Sequence, residues 1–258
     1  MSTVLISFPN SKVAQISFND PSQLNAMGQK MADDFKSSVS ELKSKSNELR
    51  AIILTGEGRA FSAGGDLQML YDKTKLSPEE NKKRMLEFYN SFLCILDLNI
   101  PVISAINGAA IGASLCVACA TDIRISAENS KFGFTFTKLG LHPGMAATYF
   151  LSRITSDAVA RELLLTGRVF DAKEAQRIGL VSKIVPDDQI IQSALMIAEE
   201  IISTGKQCSE QLLAALRNPK NTLLESLEVE ATNQSINYAS KEFLEGITAA
   251  KEKRKANF

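Results

Sequence analysis

Histidine is almost missing from this chain and tryptophan is missing altogether: among 258 residues, His142 is the single histidine. A Ser-His-acid triad and a multi-histidine metal centre are therefore both disfavoured. The segment Gly112-Ala113-Ser114-Leu115-Cys116 approaches the G-x-S-x-G pattern of hydrolase nucleophiles but lacks its final glycine. A hydrolase that uses Ser114 or Cys116 is the least favoured function.

The phosphate-binding glycine motifs are also absent. No G-K-[ST] sequence occurs, which excludes a P-loop, and Gly56-Glu57-Gly58 is followed by Phe61 where a dinucleotide fingerprint needs a third small residue. Neither charge is in excess, because Lys+Arg and Asp+Glu each number 29 and the formal net charge is zero. Nothing in this balance favours nucleic acid or an anionic membrane surface as a partner.

Cysteines are few, and only Cys116 and Cys119 form a C-x2-C pair; the others are Cys94 and Cys208. No second pair completes a zinc site. Their neighbours are small and apolar, which is typical of buried reduced thiols, so we expect no metal. Unpaired thiols in a chain without a signal peptide predict a cytoplasmic protein.

One uncharged stretch, from Val102 to Ala120, is long enough to suggest a transmembrane helix. Pro101 opens it, Asn107-Gly108 interrupts it, and Ala, Gly and Ser supply little insertion energy. We therefore predict a buried strand, a turn and a buried helix, with no membrane insertion.

Hydrophobic periodicity predicts an α/β core before a helical end. Val4–Phe8 and Val13–Phe18 form a predicted hairpin. Other predicted strands are 51–55, 101–106 and the extended segment 132–136; predicted helices are 29–45, 79–96, 112–121, 157–166 and 172–178, with another beginning at Pro143. From Asp188 onward only helices are predicted, so we divide the chain into a core domain of residues 1–186 and a helical region of residues 187–258.

Two glycine-rich turns carry the candidate chemistry. Residues 60–66 follow a buried strand, and residues 107–113 join a strand to a helix start, where N–H groups carry partial positive charge. Two such N–H groups converging on one oxygen would form an oxyanion hole. On spacing alone, ordinary tight turns of a packed α/β domain are the favoured interpretation of both segments.

The order of the motifs resembles the crotonase (enoyl-CoA hydratase/isomerase) superfamily nearly from end to end. The resemblance rests on Asn19-Asp20-Pro21, Leu24-Asn25-Ala26, Phe61-Ser62-Ala63-Gly64-Gly65-Asp66-Leu67, Asn107-Gly108, Ile111-Gly112, Asp122-Ile123-Arg124, Leu139-Gly140-Leu141, Pro143-Gly144, Leu165-Thr166-Gly167 and Gly179-Leu180-Val181. Each motif is weak alone, but their order and spacing are specific.

The resemblance implies a spiral core of ββα units, a helical C-terminal region used for trimerisation, and an acyl-CoA substrate. By position, Gly65 and Ala113 would supply the oxyanion N–H groups. Coenzyme A would be part of the substrate, with no tightly bound cofactor, and the partner would be a second copy in a homotrimer or a dimer of trimers. The residues that would contact CoA are Ser62, Ala63, Gly65, Asp66, Leu67, Gln68, Ala113, Lys253 and Lys255. For the two lysines, a solvated helix face is an equally good interpretation.

The hydratases of this family use two glutamates, and this chain has another residue at each of the two positions. The first falls at Cys116 and the second at Phe136. Candidate replacements are Cys116 itself, Tyr89, where a dehalogenase of the family carries a pocket histidine, and Lys138 and His142, which flank the Leu139-Gly140-Leu141 turn. Each of the last three has a structural alternative: a core tyrosine, a solvated lysine and a helix-capping histidine.

Two hypotheses remain. The chain is an atypical enzyme that acts on an acyl-CoA through an enolate, as a hydratase, isomerase, decarboxylase or other lyase, or it is an acyl-CoA-binding protein without turnover. The missing carboxylates favour the binder, whereas the intact turns and the family resemblance favour the enzyme, which is the function we predict. The sequence leaves the acyl group and the reaction open.

Overall fold

The computed structural model describes residues 2–218 and 222–258, and its strands form two sheets. The strands are β1 (Val4–Asn10), β2 (Val13–Phe18), β3 (Ala51–Gly56), β4 (Ala60–Ser62), β5 (Val102–Ile106), β6 (Ala109–Ile111), β7 (Ile123–Ala127), β8 (Lys131–Gly133), β9 (Val169–Asp171) and β10 (Lys183–Val185). One sheet has the order β1-β2-β3-β5-β7-β10 and the other β4-β6-β8-β9.

The helices account for most of the remaining described chain. They are α1 (Gln29–Ser44), α2 (Leu67–Lys73), α3 (Pro78–Leu93), α4 (Ala113–Ala120), α5 (Ala147–Ile154), α6 (Asp157–Thr166), α7 (Ala172–Arg177), α8 (Ile190–Ile202), α9 (Lys206–Leu216), α10 (Leu223–Tyr238) and α11 (Lys241–Glu252). Short 3₁₀ helices cover Pro21–Gln23, Cys94–Asp97, Thr135–Leu139 and Asp187–Gln189. The predicted α/β class is confirmed.

The first sheet is built around two strands that are buried along their whole length, β3 and β5. Both are continuous apolar or small-residue runs, as expected for parallel strands covered on both faces. β2, β3, β5, β7 and β10 run parallel, and β1 pairs antiparallel with β2. The predicted hairpin is confirmed.

A repeating unit connects the two sheets. β3, β5 and β7 of the first sheet are each followed by a short strand of the second sheet, β4, β6 and β8, and then by helical structure. β4, β6 and β8 run parallel to one another. Consequently the turns that leave β4 and β6 emerge side by side.

A cluster of phenylalanines fixes α3 beside this core. The Phe18 and Phe61 rings meet edge to face, with their centroids 5.4 Å apart. The ring centroid of Phe92 lies 5.3 Å from that of Phe35 and 5.2 Å from that of Phe88. These rings are fully or nearly fully buried. The cluster therefore anchors α1 and α3 to the first sheet, and α3 carries Tyr89.

Several boundaries differ from the prediction. The segment 132–136 is extended only as far as Gly133, and Phe136 lies in a 3₁₀ helix. The helix predicted from Pro143 begins at Ala147, because Met145 and Ala146 have φ angles of 52° and 55°. The three-residue strands and α2 were not predicted, since such short elements show no usable periodicity.

The uncharged stretch from Val102 to Ala120 folds as the predicted buried strand β5 and buried helix α4, with β6 where only a turn was predicted. In the described residues, no helix combines the length and the apolar character needed to span a membrane.

Beyond β10, the described chain contains only helices. α8 packs on the first sheet through Ile190, Ala194 and Ala198. Near the end of α9, Arg217 forms a two-pronged ion pair with Asp122, at 2.9 and 2.6 Å. By contrast, α10 has no buried residue. The domain division at residue 186 stays a prediction.

Candidate active site

The turn after β4 carries the first candidate donor, the Gly65 N–H. Met27 brackets this turn: its N–H donates to the Gly64 carbonyl at 2.7 Å, and its carbonyl accepts from the Asp66 N–H at 3.2 Å. The Gly64 N–H donates to the Ser62 hydroxyl at 3.1 Å. Within residues 2–218 and 222–258, the Gly65 N–H has no hydrogen-bond acceptor. A donor in a fixed turn is thus left available to a ligand.

Asp66 has a local structural role in the same turn. It is the N-cap of α2, and its carboxylate accepts a hydrogen bond from the Met69 N–H at 2.6 Å. This contact holds the start of α2. Asp66 is thereby engaged in orienting the loop.

The second donor lies at the start of α4. Gly112 adopts φ 57° and ψ −121° and donates its N–H to the Gly133 carbonyl at 2.7 Å. Ala113 is the first residue of the helix and is 9% exposed. Its N–H is one of the helix-start donors that cannot bond within the helix, and in the described chain it has no acceptor. The helix dipole adds partial positive charge there.

These two turns are in direct contact. β4 and β6 pair in parallel, with Ser62 opposite Ala110. A Cβ placed on Gly64 would lie 2.5 Å from the Ile111 carbonyl oxygen and 3.8 Å from the Ala113 amide nitrogen. Two N–H donors that converge on one carbonyl oxygen would stabilise negative charge that develops on it.

Cys116 lies one turn into α4, and the protein buries it completely. Its thiol donates to the Gly112 carbonyl at 3.2 Å. Burial, and secondarily the nearby Cys119, raise the pKa of the Cys116 thiol well above its usual value. At neutral pH the group is a protonated thiol and a poor base. No group of three or more His, Cys, Asp or Glu residues in the described chain is arranged to hold a metal ion.

Phe136 brings an aromatic ring to the same place. A Cβ on Gly112 would lie 3.9 Å from the Cζ atom of Phe136. The residue is partly buried against the core. Neither Cys116 nor Phe136 offers a carboxylate beside the Ala113 turn.

Tyr89 adds a hydroxyl-bearing side chain from α3. It is half-buried on α3, and its hydroxyl lies so close to Gly144 that a Cβ there would collide with it. Burial, and then the charge that a Cys116 thiolate would carry, raise the pKa of Tyr89 above its ordinary value, while the Met145 backbone N–H acts in the opposite direction. Tyr89 therefore keeps its hydroxyl proton at neutral pH.

Lys138 and His142 are both exposed. The His142 Nδ1 atom lies 2.8 Å from the carbonyl of neighbouring Pro143, and the Lys138 stem lies against Gly167. In the described chain, no hydrogen bond or ion pair links either residue to Tyr89 or Cys116. Their catalytic roles stay predictions.

The predicted CoA-binding residues lie in two places. Ser62 is buried at the end of β4, whereas Ala63, Leu67 and Gln68 are exposed around the turn and the start of α2. Lys253 and Lys255 are exposed after α11, on either side of Arg254. Arg254 forms ion pairs with Glu245 and Glu252, both at 2.6 Å. CoA contact by these residues is untested by the geometry.

Sequence reasoning missed how Ser114 is used. It was considered only as a nucleophile, but its buried hydroxyl lies 2.9 Å from the Ser62 carbonyl and accepts the Ile111 N–H at 3.1 Å. The available signal was a serine at the second position of a helix, where such side chains commonly bond nearby backbone.

Known proteins resemble this chain in sequence and in fold over nearly its whole length. The sequence model described as enoyl-CoA hydratase/isomerase matches residues 9–258. A crotonyl-CoA hydratase of Syntrophomonas wolfei is 33% identical, over 96% of this chain and 94% of its own length. The crystal structure of an enoyl-CoA hydratase from Bacillus anthracis superposes with a TM-score of 0.92 at 31% identity, covering 99% of this chain and 98% of its own. An enoyl-CoA hydratase structure from Polaromonas sp. JS666 gives the same TM-score at 26% identity, with 98% of each chain covered.

Proposed function

The chain belongs to the enoyl-CoA hydratase/isomerase family, with the crotonase fold, and we propose that it binds an acyl-CoA thioester and stabilises its enolate at the N–H groups of Gly65 and Ala113. The observation that carries this proposal is the pair of unengaged donors on touching turns. Preorganised donors of this kind stabilise developing negative charge by several kcal/mol, roughly 3 per donor. Coenzyme A takes part as half of the substrate, with no tightly bound cofactor.

Hydration of an enoyl thioester is a poor match to these side chains. Adding water to C2 and C3 needs a group that activates the water and a group that protonates C2, and general acid–base catalysis contributes roughly 10²–10⁴-fold. Phe136 cannot exchange a proton, and the Cys116 thiol is buried with a raised pKa. We therefore propose a lyase or isomerase reaction that needs enolate stabilisation and one proton donor, Tyr89.

Decarboxylation of a 2-carboxyacyl-CoA is the reaction class that these features favour. The bond from C2 to the carboxylate breaks, CO₂ leaves, and the electron pair forms the enolate, whose oxygen is held by Gly65 and Ala113. Tyr89 then donates its hydroxyl proton to C2 and is reprotonated from solvent. No general base is required, and neither Cys116 nor Phe136 would repel the substrate's carboxylate.

A binder without turnover is the second candidate, and the missing carboxylates favour it. In that case the same two turns would hold the thioester carbonyl. The two candidates differ only in chemistry after binding, so a substrate test separates them.

The proposed CoA contacts are residues 62–68 for the pantetheine and adenine, and Lys253 and Lys255 for the phosphates. Both lysines are exposed and so accessible to a ligand. The four free thiols support a reducing cytoplasmic compartment.

We also propose a homotrimer or a dimer of trimers. Helix α10 has no buried residue, and Leu223 and Leu224 are 76% and 77% exposed. Exposed leucines on a helix without a buried face support coverage by a second copy of this chain.

The decisive experiment offers crotonyl-CoA, malonyl-CoA and methylmalonyl-CoA to the purified protein. We expect CO₂ release from a carboxylated substrate and little loss of the enoyl absorbance of crotonyl-CoA. Binding by calorimetry without any turnover would support the second candidate. Rapid hydration of crotonyl-CoA would contradict the inference from Cys116 and Phe136, and binding of no thioester would contradict both candidates.

A further inference from the structure

We propose that Ser114 is a positioning residue that sets the geometry of the two oxyanion donors. This inference rests on the proposed function, because it concerns how the Gly65 and Ala113 N–H groups are held. Ser114 touches neither substrate nor reacting atoms. Its hydroxyl acts through the backbone of both turns.

The hydroxyl oxygen of Ser114 contacts the backbone of both turns. Its hydroxyl lies 2.9 Å from the Ser62 carbonyl, three residues before Gly65, and 2.9 Å from the Ile111 carbonyl, two residues before Ala113. It also accepts the Ile111 N–H at 3.1 Å. In the described chain, the bond from Ser114 to the Ser62 carbonyl is the one side-chain hydrogen bond between residues 60–66 and residues 107–114.

Ser62 extends the same arrangement towards Gly65. Its hydroxyl accepts the Gly64 N–H at 3.1 Å, so the residue just before Gly65 is held from the Ser62 side chain while the Ser62 carbonyl is held by Ser114. Both serines are fully buried. A hydrogen bond shielded from water keeps its geometry better than an exposed one, so the two turns are fixed relative to each other.

This position predicts a selective effect. An oxyanion hole acts on charge that develops during the reaction, so a small loss of alignment weakens binding of an enolate more than binding of a neutral thioester. Removing a whole donor costs about 10²–10³-fold, and loosening both donors should cost part of that, roughly tenfold.

The test compares wild-type protein with Ser114→Ala, using two probes. Acetoacetyl-CoA forms an enolate whose absorbance reports stabilisation of the oxyanion, and butyryl-CoA measures neutral thioester binding by calorimetry. We expect Ser114→Ala to reduce enolate formation about tenfold while the butyryl-CoA Kd changes less than about twofold. Ser114→Cys, which keeps a weak S–H donor, should lie between the two.

Ser130→Ala is the matched control. Ser130 is also fully buried and donates one hydrogen bond to a backbone carbonyl, that of Ile106 at 3.0 Å, but it does not join the two turns. It should leave the enolate signal unchanged. If Ser114→Ala does not fold, Ser114→Cys and Ser62→Ala test the same selectivity.

Three results would overturn the positioning role: equal weakening of both probes, no effect of Ser114→Ala on the enolate, or the same selectivity in Ser130→Ala. The proposed function fails separately. Wild-type protein that binds butyryl-CoA without forming an enolate from acetoacetyl-CoA overturns the oxyanion hole, and with it the role of Ser114.

Discussion

The α-carbon of Gly64 faces the carbonyl of Ile111 so closely that a methyl group on it would lie 2.5 Å from that oxygen. Gly64 also has a φ of 91°, a backbone conformation that side chains disfavour. Two constraints thus require glycine here, and the steric one comes from the approach of one oxyanion turn to the other.

We expect Gly64→Ala to lower the free energy of unfolding by about 2 kcal/mol or more and to abolish formation of the acetoacetyl-CoA enolate. The alanine must push the two turns apart because backbone atoms cannot yield as a flexible side chain would. Chemical denaturation and difference spectroscopy measure the two effects.

Gly140→Ala is the control for backbone strain alone. Gly140 has a φ of 68°, but a Cβ there would meet no atom within 4 Å. It should lose about 1 kcal/mol of stability and keep the enolate signal. Equal behaviour of the two variants would mean that contact between the turns is unimportant.

Tyr89 and Cys116 are expected to differ in their effect on turnover. Tyr89→Phe removes the proposed proton donor and should lower kcat on the carboxylated substrate by about 10²-fold, with KM nearly unchanged. Cys116→Ser should change kcat by less than about threefold, because a thiol with a raised pKa carries no base function. Steady-state kinetics measure both effects. A large loss of kcat in Cys116→Ser with little loss in Tyr89→Phe would contradict these roles.

Glu245 should make the anchoring of the C-terminal segment sensitive to acid. Arg254, and then the Asn257 N–H, lower the pKa of Glu245 from 4.5 to about 2. Because the pKa of Glu245 is lower in the folded state, the stabilisation that its carboxylate gives the C-terminal segment is complete above about pH 4.5. This stabilisation is lost as the pH falls towards 2. Glu245→Gln should therefore expose residues 253–258 to faster hydrogen exchange at pH 7, and the difference from wild type should disappear near pH 2. A difference that grows with acid would contradict this assignment.

Helix α10 should mediate self-association. Leu224→Glu places a charge on its exposed apolar surface and should convert a trimer or hexamer to smaller species, as measured by light scattering after size-exclusion chromatography. Ser37→Glu, at an exposed position of α1, changes the net charge by the same one unit elsewhere and should leave the assembly intact. A wild-type protein that is monomeric at micromolar concentration would contradict the proposal.

Much of the fold follows from the sequence where patterns are long. β3 and β5 are continuous apolar or small-residue runs, and α6 spans Asp157–Thr166, as predicted from its spacing and from Gly167 at its end. The three-residue strands could not be predicted, because β4 and β6 are defined by pairing between distant parts of the chain rather than by local periodicity.

The candidate site was only partly predictable for the same reason. The two turns that carry Gly65 and Ala113 could be named from the sequence, and the structure brings them into contact. The bridge from Ser114 to Ser62 depends on where two separate turns meet, which no local pattern contains. The left-handed backbone at Met145 and Ala146 was also missed, since neither residue type favours it.

A crystal structure of the protein with butyryl-CoA tests the central claim most directly. We expect the thioester oxygen to lie within about 2.7–3.1 Å of the amide nitrogens of both Gly65 and Ala113. A thioester bound with its oxygen in contact with neither nitrogen would contradict the proposed oxyanion hole.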